Sequence, residues 1–376
     1  MGELYFDNNA TTKVCPSVLD ELNRVLEISY GNPSGTYKIA REAESLMNDA
    51  RLSVSKFIGA RSSGTVIFTS GATESNNAVI NSCVKLFPQK RHIISTAVEH
   101  SSVREPLLKL KDAGYTVDLL HVDGKGRIDL DELRAKLTPQ TLLASIMFVN
   151  NEIGNIYPIE DIRRICNEIS TDILLHTDAV QAIGKIDVDV EKLGVDFLSL
   201  SGHKFHAPKG IGCLYIKNPT NFIPLLSGGN QEYGLRSGTE NVQYIVAIGK
   251  AIEEISFEDN FRICTLRNRL EEALKRNFSE LVIIGDKKNR VCSTTNILFP
   301  SIDGVILATA LNEVGISVSS GSACSEKGKK QSHVLAAMGI KGKGIRISLS
   351  RFTTGEDVTR FLGLTIPVIG KLRPKG

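Results

Sequence analysis

The sequence has no apolar run approaching the ~18 residues that a membrane-spanning helix needs, so a transmembrane segment is excluded. It has no C-x-x-C pair. The seven cysteines, Cys15, Cys83, Cys166, Cys213, Cys264, Cys292 and Cys324, are odd in number and scattered. That excludes a disulfide framework and a structural zinc site. Cys83, Cys166, Cys213 and Cys264 lie in apolar-periodic surroundings and read as small buried hydrophobes. Excess charge is small: 45 Lys+Arg against 42 Asp+Glu leave +3, which argues against nucleic acid or an anionic membrane as partner. The start, Met1-Gly-Glu-Leu-Tyr-Phe, lacks a basic n-region and a signal core, so the expected location is cytoplasmic. Neither a G-x-G-x-x-G fingerprint nor a Walker A loop occurs, which argues against dinucleotides and nucleoside triphosphates.

What is present suits a soluble enzyme: 376 residues, 41% hydrophobic and 23% charged, enough for two domains. Short apolar runs alternate with helical periodicities. Strands are expected at 66–69, 92–96, 116–120, 142–149, 173–176 and 195–200. Helices are expected over 17–29 (Val18, Leu22, Val25 and Leu26 on one face), 37–58, 78–86, 101–113, 129–137 and 159–169. This rhythm predicts an α/β fold with a mostly parallel sheet flanked by helices. From about residue 251 the pattern becomes α+β. The expected division is a large domain over 13–250 and a smaller one built from 1–12 and 251–376.

In such sheets ligands sit beyond the carboxyl ends of the strands. The residues there are His100, Asn150-Asn151-Glu152, Asp178, Gln181, His203 and Lys204. Lys204, taken alone, is equally an ordinary lysine in a surface turn. At the end of a buried strand, however, a lysine loses hydration and can form a Schiff base with an aldehyde. A pyridoxal cofactor would then need a phosphate cradle, an acid near its ring nitrogen and a flat group over its ring. The Gly71-Ala72-Thr73 turn before a helix can bind phosphate, helped by Ser201 and His203. Asp178 can keep the ring nitrogen protonated, and Gln181 can reach the ring hydroxyl. His100 can stack and exchange protons, and Arg346 can grip a substrate carboxylate.

Taken in order, Asp7-Asn-Asn-Ala-Thr-Thr12, Gly31-Asn-Pro-Ser34, Thr69-Ser-Gly-Ala-Thr-Glu-Ser75, Glu99-His100, Asn150-Asn-Glu-Ile-Gly154, His176-Thr-Asp-Ala-Val-Gln181, Ser201-Gly-His-Lys204, Arg236-Ser-Gly-Thr239 and Ser319-Ser-Gly-Ser-Ala-Cys324 resemble the cysteine desulfurases of the NifS/IscS type. The resemblance runs from Tyr5 to about Leu372. It implies a fold-type I, class V aminotransferase-like enzyme that uses pyridoxal 5'-phosphate. Lys204 would carry the cofactor, with Ala72, Thr73, Ser201, Gly202 and His203 around its phosphate. Asn151 would share the ring hydroxyl side with Gln181, and it would join Arg346 in binding substrate. Thr239 would reach the phosphate of a neighbouring subunit, which implies a homodimer. L-cysteine would become L-alanine, with its sulfur held on Cys324 as a persulfide. Acceptor proteins would then take the sulfur, among them an iron–sulfur scaffold on which Cys324 would ligate a cluster transiently. The alternatives are a selenocysteine lyase, a class V aminotransferase for another amino acid, or a sulfur carrier without turnover. No metal site is expected.

Overall fold

The computed structural model describes residues 2–62, 65–320 and 331–373. The chain opens with β1 (Leu4–Tyr5), α1 (Pro16–Ile28) and α2 (Lys38–Phe57). Pro16 starts α1 because the N–H it lacks has no intrahelical acceptor in a first turn. The alternation follows: β2 (Val66–Thr69), α3 (Ala72–Leu86), β3 (His92–Thr96), α4 (Ser101–Asp112), β4 (Thr116–Leu120) and α5 (Leu130–Lys136). It continues through β5 (Thr141–Ser145), α6 (Ile159–Ile169), β6 (Leu174–Asp178), α7 (Val190–Leu193), β7 (Phe197–Ser201) and β8 (Gly212–Ile216). These strands form one seven-stranded sheet in the order β2-β8-β7-β6-β5-β3-β4. Neighbours from β4 to β7 pair in parallel, and β8 is antiparallel to both β7 and β2. The fold is therefore the expected α/β type. β2, β5, β7 and β8 are buried at every position, as strands covered on both faces must be.

Some expectations need correction. The helix expected from Ala78 begins at Ala72. Its first turns carry Thr73, Ser75, Asn76 and Asn77, which hide the apolar period, yet Ser75 and Asn76 are buried. The strand expected to reach Val149 leaves the ladder after Ser145. Ile146 and Phe148 still donate their N–H groups to His176 and Asp178 carbonyls, at 3.0 and 2.9 Å. Leu26 is 54% exposed rather than facing the core. Cys83, Cys166 and Cys213 are buried as expected, but Cys264 is only partly so.

The second half of the chain supplies α8 (Val242–Glu253), which packs on α1 and α2, then α9 (Glu258–Asn277). Next come β9 (Val282–Ile284), β10 (Thr294–Leu298), α10 (Gly304–Glu313), β11 (Ile316–Ser317), α11 (His333–Ala337), β12 (Ile345–Ser348) and α12 (Gly355–Leu372). β9, β10 and β12 make an antiparallel sheet, and β1 pairs in parallel with β11, Leu4 opposite Ile316. Leu4 and Phe6 join an apolar cluster whose other members run from Ile263 to Ile369. The segment after β1 then crosses to the ends of the large sheet. Among the described residues, no helix is long and apolar enough to cross a membrane.

Candidate active site

The site is built where β2, β6 and β7 end. Gly71 turns the chain from β2 into α3 with φ +152°, a conformation open to glycine. A Cβ on Gly212 would lie 2.6 Å from the Leu200 carbonyl oxygen and 2.7 Å from Gly71 Cα, so β8 can approach this turn only as glycine. No side chain caps α3. Its first N–H groups have no intrahelical acceptor and form an anion cradle. Glu74 sits beside it, with its carboxylate accepting from Ser70 N (2.8 Å) and Arg236 Nε (2.9 Å). Burial would raise the Glu74 carboxyl, but these hydrogen bonds outweigh it and hold the group below its usual range.

A cavity of about 390 Å³ opens beside this cradle, a size within the roughly 300–1,000 Å³ of ligand pockets. Ala72, Thr73, His100, Asn151, Asp178, Gln181, Ser201, His203, Lys204 and Arg346 all line it. Lys204 Nζ donates to the carbonyl oxygens of Asn9 and Ala10, each at 2.7 Å. The N-terminal segment thus holds the lysine in place. Burial, with Lys204 and Lys209 nearby, lowers the His203 imidazole to about 4, so His203 is neutral near pH 7.

Asp178 is buried. Its carboxylate accepts from Asn76 Nδ2 (2.8 Å) and Val180 N (3.0 Å). Among the described residues no basic side chain forms an ion pair with it. The same Asn76 amide nitrogen donates to Ser102 Oγ (2.9 Å), which lies 2.8 Å from His100 Nδ1. Ser102 N also donates to Nδ1 (3.2 Å). With Nδ1 accepting, the ring proton of neutral His100 sits on Nε2. Burial lowers the His100 pKa, and nearby Lys204 and His333 lower it further, against the pull of Asp178. Arg346 is engaged as well: Nη2 pairs with Asp7 Oδ1 (2.7 Å), Nη1 donates to Asn151 O (3.1 Å), and buried Nε has no partner among the described residues.

Two predicted residues, Gly202 and Thr239, are not in the cavity wall. Gly202 lies beneath it, where a Cβ would meet Ala207 Cβ at 2.9 Å. Thr239 is exposed and does not line the cavity. Cys324 lies outside the described residues. Sequence reasoning missed Asn9, Ala10, Asn76, Ser102 and Lys185. Asn9 and Ala10 hold Lys204 through backbone carbonyls, which carry no side-chain signal. Lys185 left one trace, its i,i+4 spacing from Gln181.

The residues fit a phosphorylated pyridine aldehyde. The α3 cradle suits a dianion, and Lys204 is an amine within reach of the same cavity. Asp178 is a buried carboxylate without an ion-pair partner among the described residues, an arrangement that costs several kcal/mol until a cationic group such as a protonated ring nitrogen pairs with it.

Fold and cavity together define a class, and the chain belongs to the aminotransferase class-V family, whose pattern matches residues 4–361. Within it, the chain is 43% identical to a protein named cysteine desulfurase from Trichormus azollae, over 99% of this chain and 94% of that one. A solved NifS-like protein superimposes with a TM-score of 0.92 at 39% identity, covering 98% of this chain and all of the other. A structure described as SspA in complex with cysteine gives a TM-score of 0.81 at 33% identity, covering 93% and 99%.

Proposed function

We infer that the protein is a cysteine desulfurase: it takes sulfur from L-cysteine and releases L-alanine. The observation that carries this is the meeting of Lys204, Asp178 and the α3 cradle in one cavity, in a chain alike over its length to cysteine desulfurases. We propose pyridoxal 5'-phosphate as the cofactor. Bound, it supplies an electron sink for the bonds at the amino acid's Cα and Cβ.

The chain's own residues do the rest. The N–H groups of Ala72 and Thr73, with Ser201 and His203, hold the phosphate. Asp178 keeps a proton on the ring nitrogen and is itself fixed by Asn76 and Val180. Gln181 and Asn151 would meet the ring hydroxyl. His100, a neutral imidazole, would stack on the ring and offer its Nε2 proton. Lys204 Nζ would hold the cofactor through its aldehyde and would move the proton at the amino acid's Cα. Its hold on the Asn9 and Ala10 carbonyls gives it a place to return to. Arg346 receives the substrate carboxylate and gives up a contact with Asp7 or Asn151 to do so. The Cys324 thiolate attacks the substrate sulfur. The carbon–sulfur bond breaks, the Cβ gains a proton, and Cys324 keeps the sulfur as a persulfide for an acceptor protein. Exposed Thr239 belongs to the phosphate site of a second copy, which makes the working form a homodimer. The apolar cluster shared by both chain ends supports a small domain of 1–12 and 251–376 beside a large one of 13–250.

The test is alanine and sulfide release from L-cysteine, with a thiol reductant, by the parent and by Cys324→Ala. The variant is expected to lose both products while still binding cofactor. Full activity without Cys324 would overturn this reading in favour of a class V enzyme acting on another amino acid.

A further inference from the structure

Lys185 is a charged side chain beside the site to which the mechanism above gives no work, and its surroundings are unusual. It lies in the turn after β6, and its amine is enclosed. Nζ donates to Asn9 Oδ1 at 2.9 Å and to Gln181 Oε1. Among the described residues no carboxylate pairs with it. Burying an ammonium group without a counter-ion is costly, and it is kept only where it serves another purpose.

The hydrogen bonds show what that purpose is. An ammonium group has three donors and no acceptor, so the amide end of Gln181 facing it must be the oxygen. The nitrogen end then faces the other way, and it donates to the Asn9 carbonyl at 3.0 Å. One N–H of Gln181 remains for the cavity that Gln181 lines. Lys185 therefore makes Gln181 a donor toward the ligand rather than an acceptor. Asn9 is the second link. Its side chain accepts from Lys185 and donates to Asn151 O, while its backbone carbonyl accepts from Lys204. Lys185 thus braces both the residue that meets the ring and the residue that holds the catalytic lysine.

We propose that Lys185 is a positioning residue of the catalytic site. It orients Gln181 so that an N–H meets an anionic ring oxygen of the bound cofactor, and it adds positive charge behind that oxygen. The proposal rests on the cofactor reading above. The charged and titratable groups facing Lys185 are Lys204 and Arg346 on the site side, and Asp259, His206 and Arg351 around a cavity of about 60 Å³ behind it. Burial, then Lys204 and Arg346, lowers its amine to about 7. A cofactor oxygen carrying negative charge would pull that value back up.

The sign of the effect follows. Losing a donor and a cation beside an anionic oxygen disfavours the more negative form of the bound cofactor, so its deprotonation moves to higher pH. The measurement is the pH midpoint of the visible absorption band of the holoenzyme. Lys185→Met is expected to raise that midpoint by roughly one unit, and Lys185→Arg is expected to restore it, the cavity behind leaving room for the guanidinium. A Lys185→Met holoenzyme with full cofactor content and an unchanged midpoint would overturn the proposal. Where Lys185→Met does not fold, Lys185→Gln keeps a polar contact without the charge and is subject to the same two outcomes. A parent protein that shows no visible band with added pyridoxal phosphate would instead refute the cofactor reading.

Discussion

Asp178 illustrates how a single residue can trade stability for chemistry. Its carboxylate is buried with two hydrogen bonds and, among the described residues, no ion-pair partner. Without a ligand that charge is a net cost. Asp178→Asn is therefore expected to raise the melting temperature of the cofactor-free protein while lowering turnover by about 10²- to 10³-fold. Thermal denaturation of the stripped protein and steady-state assay of the loaded one test the two halves separately. Glu99, next to His100, gives a pH test. Burial pushes its carboxyl up to about 8. Between about 4.5 and 8 the folded chain holds a proton that the unfolded chain has lost, so the folded state weakens as pH rises through that window. Against parent protein, Glu99→Gln is expected to gain in melting temperature steadily from pH 4.5 to 8 and to stay level below it. At this scale the sequence revealed most of the side chains that line the cavity, because their types match the chemistry expected there. It did not reveal Asn9, Ala10 or Lys185, whose work depends on contacts with residues such as Lys204 that lie far along the chain.

Among the elements, the loop from Gly228 to Thr239 shows how a segment with little regular structure is fixed. Glu232 and Tyr233 take positive φ, +47° and +59°. What holds them is a buried fork: Arg51 on α2 donates to both carboxylate oxygens of Glu232 at 2.7 and 2.8 Å, and Phe68 N donates to one of them. The Arg51 guanidinium also lies 4.8 Å from the Phe68 ring centre. Glu232→Ala would leave Arg51 buried and unpaired, and the expected loss is about 3–5 kcal/mol of unfolding free energy by urea titration. Weaker self-association is expected with it, since the same loop carries Thr239. Elements were legible where their period was clean, as in α2 and α6. α8 was not, because eight of its positions are buried and a helix covered nearly all round has no polar face to mark it. β8 was hidden by the Phe205-to-Gly212 turn before it, whose Pro208, Gly210 and Gly212 read as loop. α3 lost its first six residues to buried serine and asparagine that serve Asp178 and the cradle.

For the whole molecule, the N-terminal segment joins the two halves. Leu4 and Phe6 belong to the smaller apolar cluster, while Asn9 and Ala10 hold Lys204 at the end of the large sheet. Deleting residues 2–10 is expected to abolish cofactor retention during gel filtration, although no residue of the phosphate cradle is touched. The parallel sheet was foreseeable from the βα alternation, but the crossing of the chain's start to its far end was not, since pairing between distant segments leaves no periodic mark. That crossing has a consequence for the order of events on the ribosome. The partners of β1 and Phe6 are Ile316, Ser317 and Ser348, so the first strand waits, unpaired, until nearly all of the chain has been made. The large sheet, with residues 9–15 laid along its end, can form during synthesis, but β1 and Phe6 gain their partners only once residues 316–348 have been made. Docking of β1 onto the smaller unit is therefore a late step of folding.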